Sequence, residues 1–543
     1  MKKQNLWKVV LLTAMVFLIL TWILPAASFQ GEYAEQGRVQ MGLFDIFNYP
    51  TTALSAFAYI ALFFIFVGGF YGVLFKIPAY RSFLDKIVSI MKGKEKIFLS
   101  IIVIIIALLV SICGLNIGIA IFVPFIVSII FLMGYDKMVA AYAIVGSICA
   151  GMLGSTFANS HLNILLSGFS LNIDYQLGVR FVLLFTSVVL VVFNMIRYID
   201  SAETAIIPDS IGKNKKAKNS DAEVFEEKIE VKSSKTTDKS SSSKKNVSRK
   251  STSKVKSSTK KSTSSKTSKK NNNKAALVDD DVIIIKDDDS SIKYVPSSDN
   301  KDHMIWVFVI LFFLLFIIMI LSFVPWSAFN IKLFDTITDS IQKFTLFKFP
   351  IFSKILGNIN SFGNWTIIDL LTPLALTALL LIFIYNISFE DAVDGFIKGA
   401  KRALNPAAIT ICIYTILVLV VYHPFPLVIY KAILGLTKSF NIFTTAVVSI
   451  LCGLFHSDAS YSFQSIVPYY ASVISNSKVY TDAAIIFQSM YGFTMFFAPT
   501  SLFLMVTLSY LNISYSQWLK NIWKLLLELF IILFIAFIAL SLL

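Results

Sequence analysis

The stretch ILCGLFHSDASYSF, residues 450–463, holds the question on which the fold turns. An apolar run from Asn441 to Leu454 leads into it, with the character of a segment buried in a bilayer. His456, Ser457, Asp458, Ser460 and Ser462 then follow, with no stretch that would carry the chain out to water. Polar side chains and non-helical backbone at membrane depth are costly. They persist only where protein buries them or a watery cavity meets them. The stretch therefore reads as the tip of a hairpin that dips into the membrane and returns.

Composition supports that setting. Of 543 residues, 56% are hydrophobic, and the mean hydropathy is +0.72. A soluble domain of this length could not hide so much apolar surface. The apolar residues come in uncharged runs of about 17–25, the length that spans a hydrocarbon core. The chain reads as an all-α polytopic membrane protein. Spans are predicted at 6–24, 52–75, 138–170, 177–197, 304–325, 365–386, 406–422, 483–510 and 519–541. The first is too long for the core of a signal peptide and reads as an uncleaved helix. Two apolar pairs remain, 97–133 and 441–475. Their arms of roughly 14–17 residues hardly span, so both read as re-entrant hairpins.

The net charge of +15 misleads, because much of the lysine lies in residues 201–302, in text such as KSSSSKKNVSRKSTSKVKSSTKK. That segment lacks the apolar content to fold and reads as a disordered cytoplasmic tether, with no nucleic acid expected as partner. It separates a first membrane repeat, 1–200, from a second, 303–543. The two echo each other in order. ICGL at 112–115 matches LCGL at 451–454, with Pro124 and Pro468 following. LNIDYQLGVR at 171–180 matches LNISYSQWLK at 511–520, and LFD recurs at 43–45 and 333–335. The shared order implies an internal duplication. Basic residues cluster at Lys2, Lys3 and Lys8, in 76–96, in the linker, at Lys398, Lys401 and Arg402, and at Lys520 and Lys524. The positive-inside rule then puts the N-terminus and linker in the cytoplasm. The extra span 406–422 before the second hairpin inverts the second repeat, as in secondary transporters whose sites lie at the midplane. The amphipathic stretches 78–93 and 388–403 are expected to lie along the inner surface.

Four polar clusters recur at matching places. Asn116 marks the first tip, and Ser457, Asp458 and Ser460 the second. Ser155, Thr156 and Asn159 sit in a Gly-rich break inside 138–170, and Thr500 and Ser501 in a Pro-containing break inside 483–510. Helix ends at such points offer N–H groups to anions and carbonyls to cations. Each cluster alone is also what helix packing looks like, since small hydroxyl residues are common between membrane helices. Asp458 is the sharpest candidate: it would carry a proton, help hold Na⁺ or face a cationic substrate, unless it lies nearer the outer surface. His456 is its candidate partner or, equally, a packed histidine. His161 reads as structural, Asp369 as a first-turn carboxylate, and Glu528 as the partner of Lys524 four residues before it. No arginine or lysine falls deep in a predicted span, so an anionic substrate would depend on helix ends and hydroxyls. Cys113, Cys149, Cys412 and Cys452 show no metal-ligand or redox spacing. No cofactor and no metal is expected, apart from H⁺ or Na⁺ at these same residues.

The chain resembles the YfcC-like branch of the C4-dicarboxylate anaerobic carrier family, across nearly all of it except the linker. The resemblance rests on TWILPAASF with GLFDIF, on GGFYGVLFKIPAYRSFLDKIV at 68–88 and GYDKMVAAYAIVGSICAGMLGST at 134–156. It continues through FIKGA at 396–400, the hairpin at 457–468 and FAPTSLFLMVTLSYLNISYSQWLKNI at 497–522. It implies an inverted-repeat fold with two hairpins, a homodimer and elevator-type transport of dicarboxylates, other carboxylates or exchanged basic amino acids. The chain departs from the family pattern at the site. Ile117 and Gly118 stand where relatives carry a paired glutamate, and Ser457-Asp458-Ala459-Ser460 replaces Ser-Gly-Ser-Gly. Tyr491 and Met495 replace an Asp and an Asn, and Ala158 takes an Asn position, with Asn159 next to it.

The expected function is secondary active transport of a small organic metabolite, an amino acid or carboxylate, by exchange or with H⁺ or Na⁺. Arginine/ornithine antiport is the specific alternative, and a non-transporting membrane scaffold the other. HSDAS is contiguous, and neither GxSxG nor HExxH occurs, which argues against an enzyme. The Lys/Asn/Ile/Phe bias points to an AT-rich bacterial genome and hence a bacterial plasma membrane.

Overall fold

A computed structural model describes residues 6–206, 304–347, 349–357, 359–437, 439–474 and 476–542, apart from the side chains of Asn159, His161, 203–206 and Leu356. The linker prediction therefore falls almost wholly outside the described residues, as do Lys2 and Lys3. The first half runs α1 (Leu6–Ile23), the strands β1 (Ala26–Phe29) and β2 (Tyr33–Gly37), α2 (Asp45–Leu74), α3 (Pro78–Met91) and α4 (Glu95–Cys113). Next come a 3₁₀ turn (Gly118–Ile121), α5 (Val123–Leu132), α6 (Lys137–Ala141), a π-helical turn (Tyr142–Gly146), α7 (Ser147–Leu153), α8 (Asn159–Phe169) and α9 (Leu177–Ile206). The second half runs α10 (Ile305–Phe323), α11 (Leu333–Lys343), α12 (Ile351–Leu356), α13 (Leu371–Ile384), α14 (Phe389–Tyr422) and α15 (Pro426–Leu434). It ends with α16 (Ile442–Phe455), α17 (Ala459–Gln464), α18 (Val467–Val473), α19 (Tyr480–Thr494), α20 (Leu502–Tyr510) and α21 (Tyr515–Leu542).

Among the described residues, seven helices are long and apolar enough to cross a membrane: α1, α2, α4, α9, α10, α14 and α21. The chain is an all-α polytopic membrane protein, with one small antiparallel hairpin, β1–β2, on which Ala27 N–H bonds to Pro424 O at 3.2 Å. Large apolar side chains stay exposed along the outer helices, as at Leu527, Ile531, Ile535 and Ile538 of α21. In water such a stripe would be a liability; against lipid it is the expected face. The opposite holds at the centre. Every residue of α7, of α19 from Ala483 to Thr494, and of α20 from Leu502 to Leu508 is buried. These are the broken helices predicted within 138–170 and 483–510, and burial on all sides explains their all-round apolar surfaces.

The structure corrects several expectations. The first arm of 97–133 is α4, at 19 residues longer than the expected arm, and at 1.5 Å per residue it reaches about 28 Å. The span placed at 365–386 condenses to the 14 residues of α13, leaving Asp369 outside the helix. There its carboxylate accepts from Thr366 N (2.7 Å) and Oγ1 (2.8 Å) in a turn. Glu528 does not pair with Lys524. It crosses to α9, taking Asn194 Nδ2 at 2.6 Å and Arg197 Nη1 at 3.9 Å.

The largest correction concerns 388–403. It does not lie apart on the inner surface but forms the first half of α14, a 34-residue helix that runs on through Pro406. Ser388 caps it, with Oγ accepting from Asp391 N at 3.1 Å. Glycines explain its place against α2. A Cβ built on Gly72 would lie 2.0 Å from Gly395 O, and one on Gly399 would lie 2.1 Å from Gly68 O. Spacing by four residues aligns Gly68 and Gly72 on α2 with Gly395, Gly399 and Ala403 on α14. The two backbones therefore touch along a seam of the small-xxx-small kind. That contact runs along α14 up to the turn before its proline.

Candidate functional site

The first tip begins where α4 ends. Gly114 closes the helix with φ +68, and a Cβ there would fall 2.1 Å from Ser160 Oγ, so only glycine fits. Asn116 follows, half-buried, its Oδ1 accepting from Ile117 N at 2.7 Å. The first break, Gly154 to Ala158, folds back onto this arm. Thr156, Phe157 and Ala158 all aim their N–H groups at Ser111 O, at 2.9, 3.2 and 3.2 Å. Ser111 Oγ donates to Gly154 O at 2.8 Å, and Thr156 Oγ1 adds a bond to Ser111 O at 3.2 Å. Ser111 is thus the knot between first tip and first break. In the sequence it lies inside an apolar run, and nothing local marks it. Asn159 opens α8; its side chain, like that of His161, lies outside the described residues.

The second tip repeats the plan with other atoms. α16 is capped by Asn441 and ends at Phe455. Thr500 Oγ1, from the second break, satisfies its last carbonyls at Gly453 (3.2 Å) and Leu454 (3.0 Å). Tyr491 OH reaches Ser457 O at 3.4 Å. Asp458 is the N-cap of α17, its Oδ1 accepting from Ser460 N at 2.8 Å and Tyr461 N at 3.4 Å. It lies within electrostatic reach of Tyr59 on α2, Tyr414 on α14 and Tyr491 on α19. His456 does not pair with it: Nδ1 faces Cys452 O at 3.3 Å, because the ring folds back on its own helix. Pro124 and Pro468 each stand second in a helix, where the missing N–H costs nothing.

The two halves meet at Gln488. Its amide donates to Ser155 O (2.8 Å) and Leu153 O (3.3 Å), and its oxygen accepts from Tyr175 OH at 3.0 Å. A Cβ on Gly492 would lie 2.4 Å from Leu153 N, so α19 and α7 touch at the first break. The LNI segments also act alike. Tyr515 OH and Trp518 Nε1 donate to Phe497 O and Phe496 O at the second break, the latter at 2.8 Å. At the first break the donor is Arg180, fully buried, with Nη1 2.8 Å from Thr156 O. This corrects the expectation that no basic residue lies deep. In the sequence Arg180 stands at the mouth of its span, and only the fold turns it over the break.

Ser155, Ser457 and Ser501, at the breaks and the second tip, share one state with Ser489 and the hydroxyls of Tyr33, Tyr71, Tyr80 and Tyr430. Each hydroxyl is buried and makes no hydrogen bond within the protein. Buried polar atoms are nearly always paired, and an unpaired one costs about 1–3 kcal/mol. Thr156 and Thr500, one residue away from Ser155 and Ser501, are fully engaged. Asn116, with Thr507 and Tyr510, lines a cavity of about 60 Å³ between this core and the α2–α14 seam at Gly68, Ala403 and Pro406; none of the three serines lines it. Among the described residues no group of three His, Cys, Asp or Glu could hold a metal ion.

A family model described as C4-dicarboxylate anaerobic carrier matches residues 4–249 and 268–542. No curated protein and no solved structure matches the chain.

Proposed function

The chain belongs to the C4-dicarboxylate anaerobic carrier family, and we propose that it is a secondary active transporter of a small carboxylate-bearing metabolite, a dicarboxylate or an amino acid. The observation that carries the reading is the set of unengaged hydroxyls at Ser155, Ser457 and Ser501. They belong to both breaks and the second tip, and a substrate carboxylate would satisfy them. α8 and α20 both start at the breaks, and helix N-termini favour an anion. Thr156 and Thr500 act as braces of the breaks, and Asn116 meets the substrate from the cavity side. Asn159 and Ser460 complete the two anionic sub-sites. Alternating access would move the tips and breaks against the α2–α14 scaffold, in an inverted-repeat, elevator-type homodimer. We place the chain in the YfcC-like branch, in a bacterial plasma membrane, with the N-terminus and linker cytoplasmic.

A second reading, exchange of basic amino acids such as arginine and ornithine, draws on Asp458, the one carboxylate at either tip. Uptake into liposomes of labelled succinate, and of labelled arginine against internal ornithine, tests both. Asp458→Asn keeps the cap, since asparagine caps as well as aspartate. Succinate uptake that survives this substitution supports the carboxylate reading. Arginine exchange abolished by it supports the second. Uptake of neither refutes both.

A further inference from the structure

The first break holds a buried cation of its own, and the role assigned to it rests on the transporter reading. Arg180 Nη1 donates to Thr156 O at 2.8 Å, and Nη2 donates to Ile173 O. The guanidinium carbon sits 4.1 Å from the centre of the Tyr175 ring. Nε is buried and makes no hydrogen bond. Among the described residues no carboxylate lies within ion-pair distance; the nearest acidic influence is the exposed Asp174. A buried charge without a counter-ion is expensive, unless something anionic arrives to pair with it. Arginine also cannot shed its proton to escape that cost.

Unwound helix carbonyls at mid-membrane are where transporters hold a dissociable cation such as Na⁺. At this break three of those carbonyls already face N–H donors. Leu153 O and Ser155 O face the Gln488 amide, and Thr156 O faces the guanidinium. A metal ion sharing these oxygens would sit against N–H donors, one of them positively charged, so the residues do not favour Na⁺. Among the described residues the second break has no such charge. Lys520, which aligns with Arg180, is exposed, and neutral Tyr515 and Trp518 serve the carbonyls instead.

We propose that Arg180 is the resident cation of the transport site: it stands where a coupling Na⁺ would sit and lends its charge to a substrate carboxylate bound beside it at Ser155. Carboxylate binding at the first break then requires no Na⁺.

Initial rates of succinate uptake into liposomes should agree within about twofold between NaCl and choline chloride, a difference too small to signal a lost charge contact. Arg180→Gln should lose about tenfold or more, the worth of one charge-assisted bond. Arg180→Gly should regain part of its uptake from added guanidinium, and none from NaCl. Saturable stimulation of the wild type by Na⁺, or a wild-type KM for succinate in Arg180→Gln, would overturn the proposal. Thermal unfolding of the purified wild type, in NaCl against choline chloride at equal ionic strength, decides the point without transport or variants. Equal midpoints support a resident cation, and a saturable rise with Na⁺ refutes it. Equal midpoints with no carboxylate transported would sink the substrate reading and leave standing only the guanidinium in the place of Na⁺.

Discussion

Gly72→Ala is a small change placed where the structure has no room for it. The added methyl would sit 2.0 Å from Gly395 O, 2.9 Å from Gly395 C and 2.9 Å from Gly399 N. All three are backbone atoms of α14, so no side chain can swing away. Real Cβ contacts do not fall under 3.0 Å, so α2 and α14 must part by about 1 Å. Such separation thins the contacts along the seam, including Gly68 against Gly399 and Gly69 against Phe396. Overpacking costs about 1–3 kcal/mol, and a rigid obstacle puts this case at about 3 kcal/mol. At about 2 cal/mol/K of unfolding entropy per residue, a chain of this size should melt about 3 °C lower. The control is Gly178→Ala in α9, which has nothing within 4 Å and no positive φ. It should hold or raise the midpoint, since alanine suits a helix better by about 0.5–1 kcal/mol. Both variants would be melted in the same detergent, followed by tryptophan fluorescence. If Gly72→Ala melts with Gly178→Ala at or above the wild type, the seam is not close-packed backbone and the account of α14 fails.

Ser155→Ala, Ser457→Ala and Ser501→Ala should leave the melting midpoint unchanged or raise it, because each removes an unpaired buried hydroxyl, yet each should lower uptake several-fold; wild-type uptake removes that residue from the site. Ser111→Ala should behave oppositely, costing about 1–2 kcal/mol through the lost bond to Gly154 O, which a melting curve will show. Gln488→Leu strands Ser155 O, Leu153 O and Tyr175 OH together, and should destabilise by about 3 kcal/mol or more; a midpoint equal to wild type would dissolve the bridge between the halves. His423→Phe should cost about 2–4 kcal/mol in the same assay, since Tyr49 OH and Val39 O, each 2.6 Å from a ring nitrogen, lose their partner.

Much of the candidate site is legible in the sequence as places rather than as partners. Gly114, the Gly154–Ala158 break and the Pro499 break announce themselves, because glycine and proline interrupt helices through their own backbones. The candidate hydroxyls stand out for the same reason: they flank those interruptions. Gln488 and Ser111 escape notice because each lies inside an apolar helix and finds its partners on another element. Gln488 and Ser155 are 333 positions apart. Asp458 is legible as a charge in an apolar setting, yet its work as the cap of α17 depends on where the helix restarts.

What the sequence determined alone is that the chain lives in a membrane and where its two central helices break. Those are properties of short windows: apolar length, and the residues that cannot continue a helix. What the tertiary structure decided is which polar atoms are already satisfied. Thr156 is engaged with Ser111 while Ser155 beside it is not, and Arg180 turns inward over the break instead of outward. It also decided that 388–403 belongs to α14, where the glycines of α2 meet those of α14. A hydrogen bond or a backbone contact needs both partners in place. In this chain the second partner is most often on a helix that no local window contains.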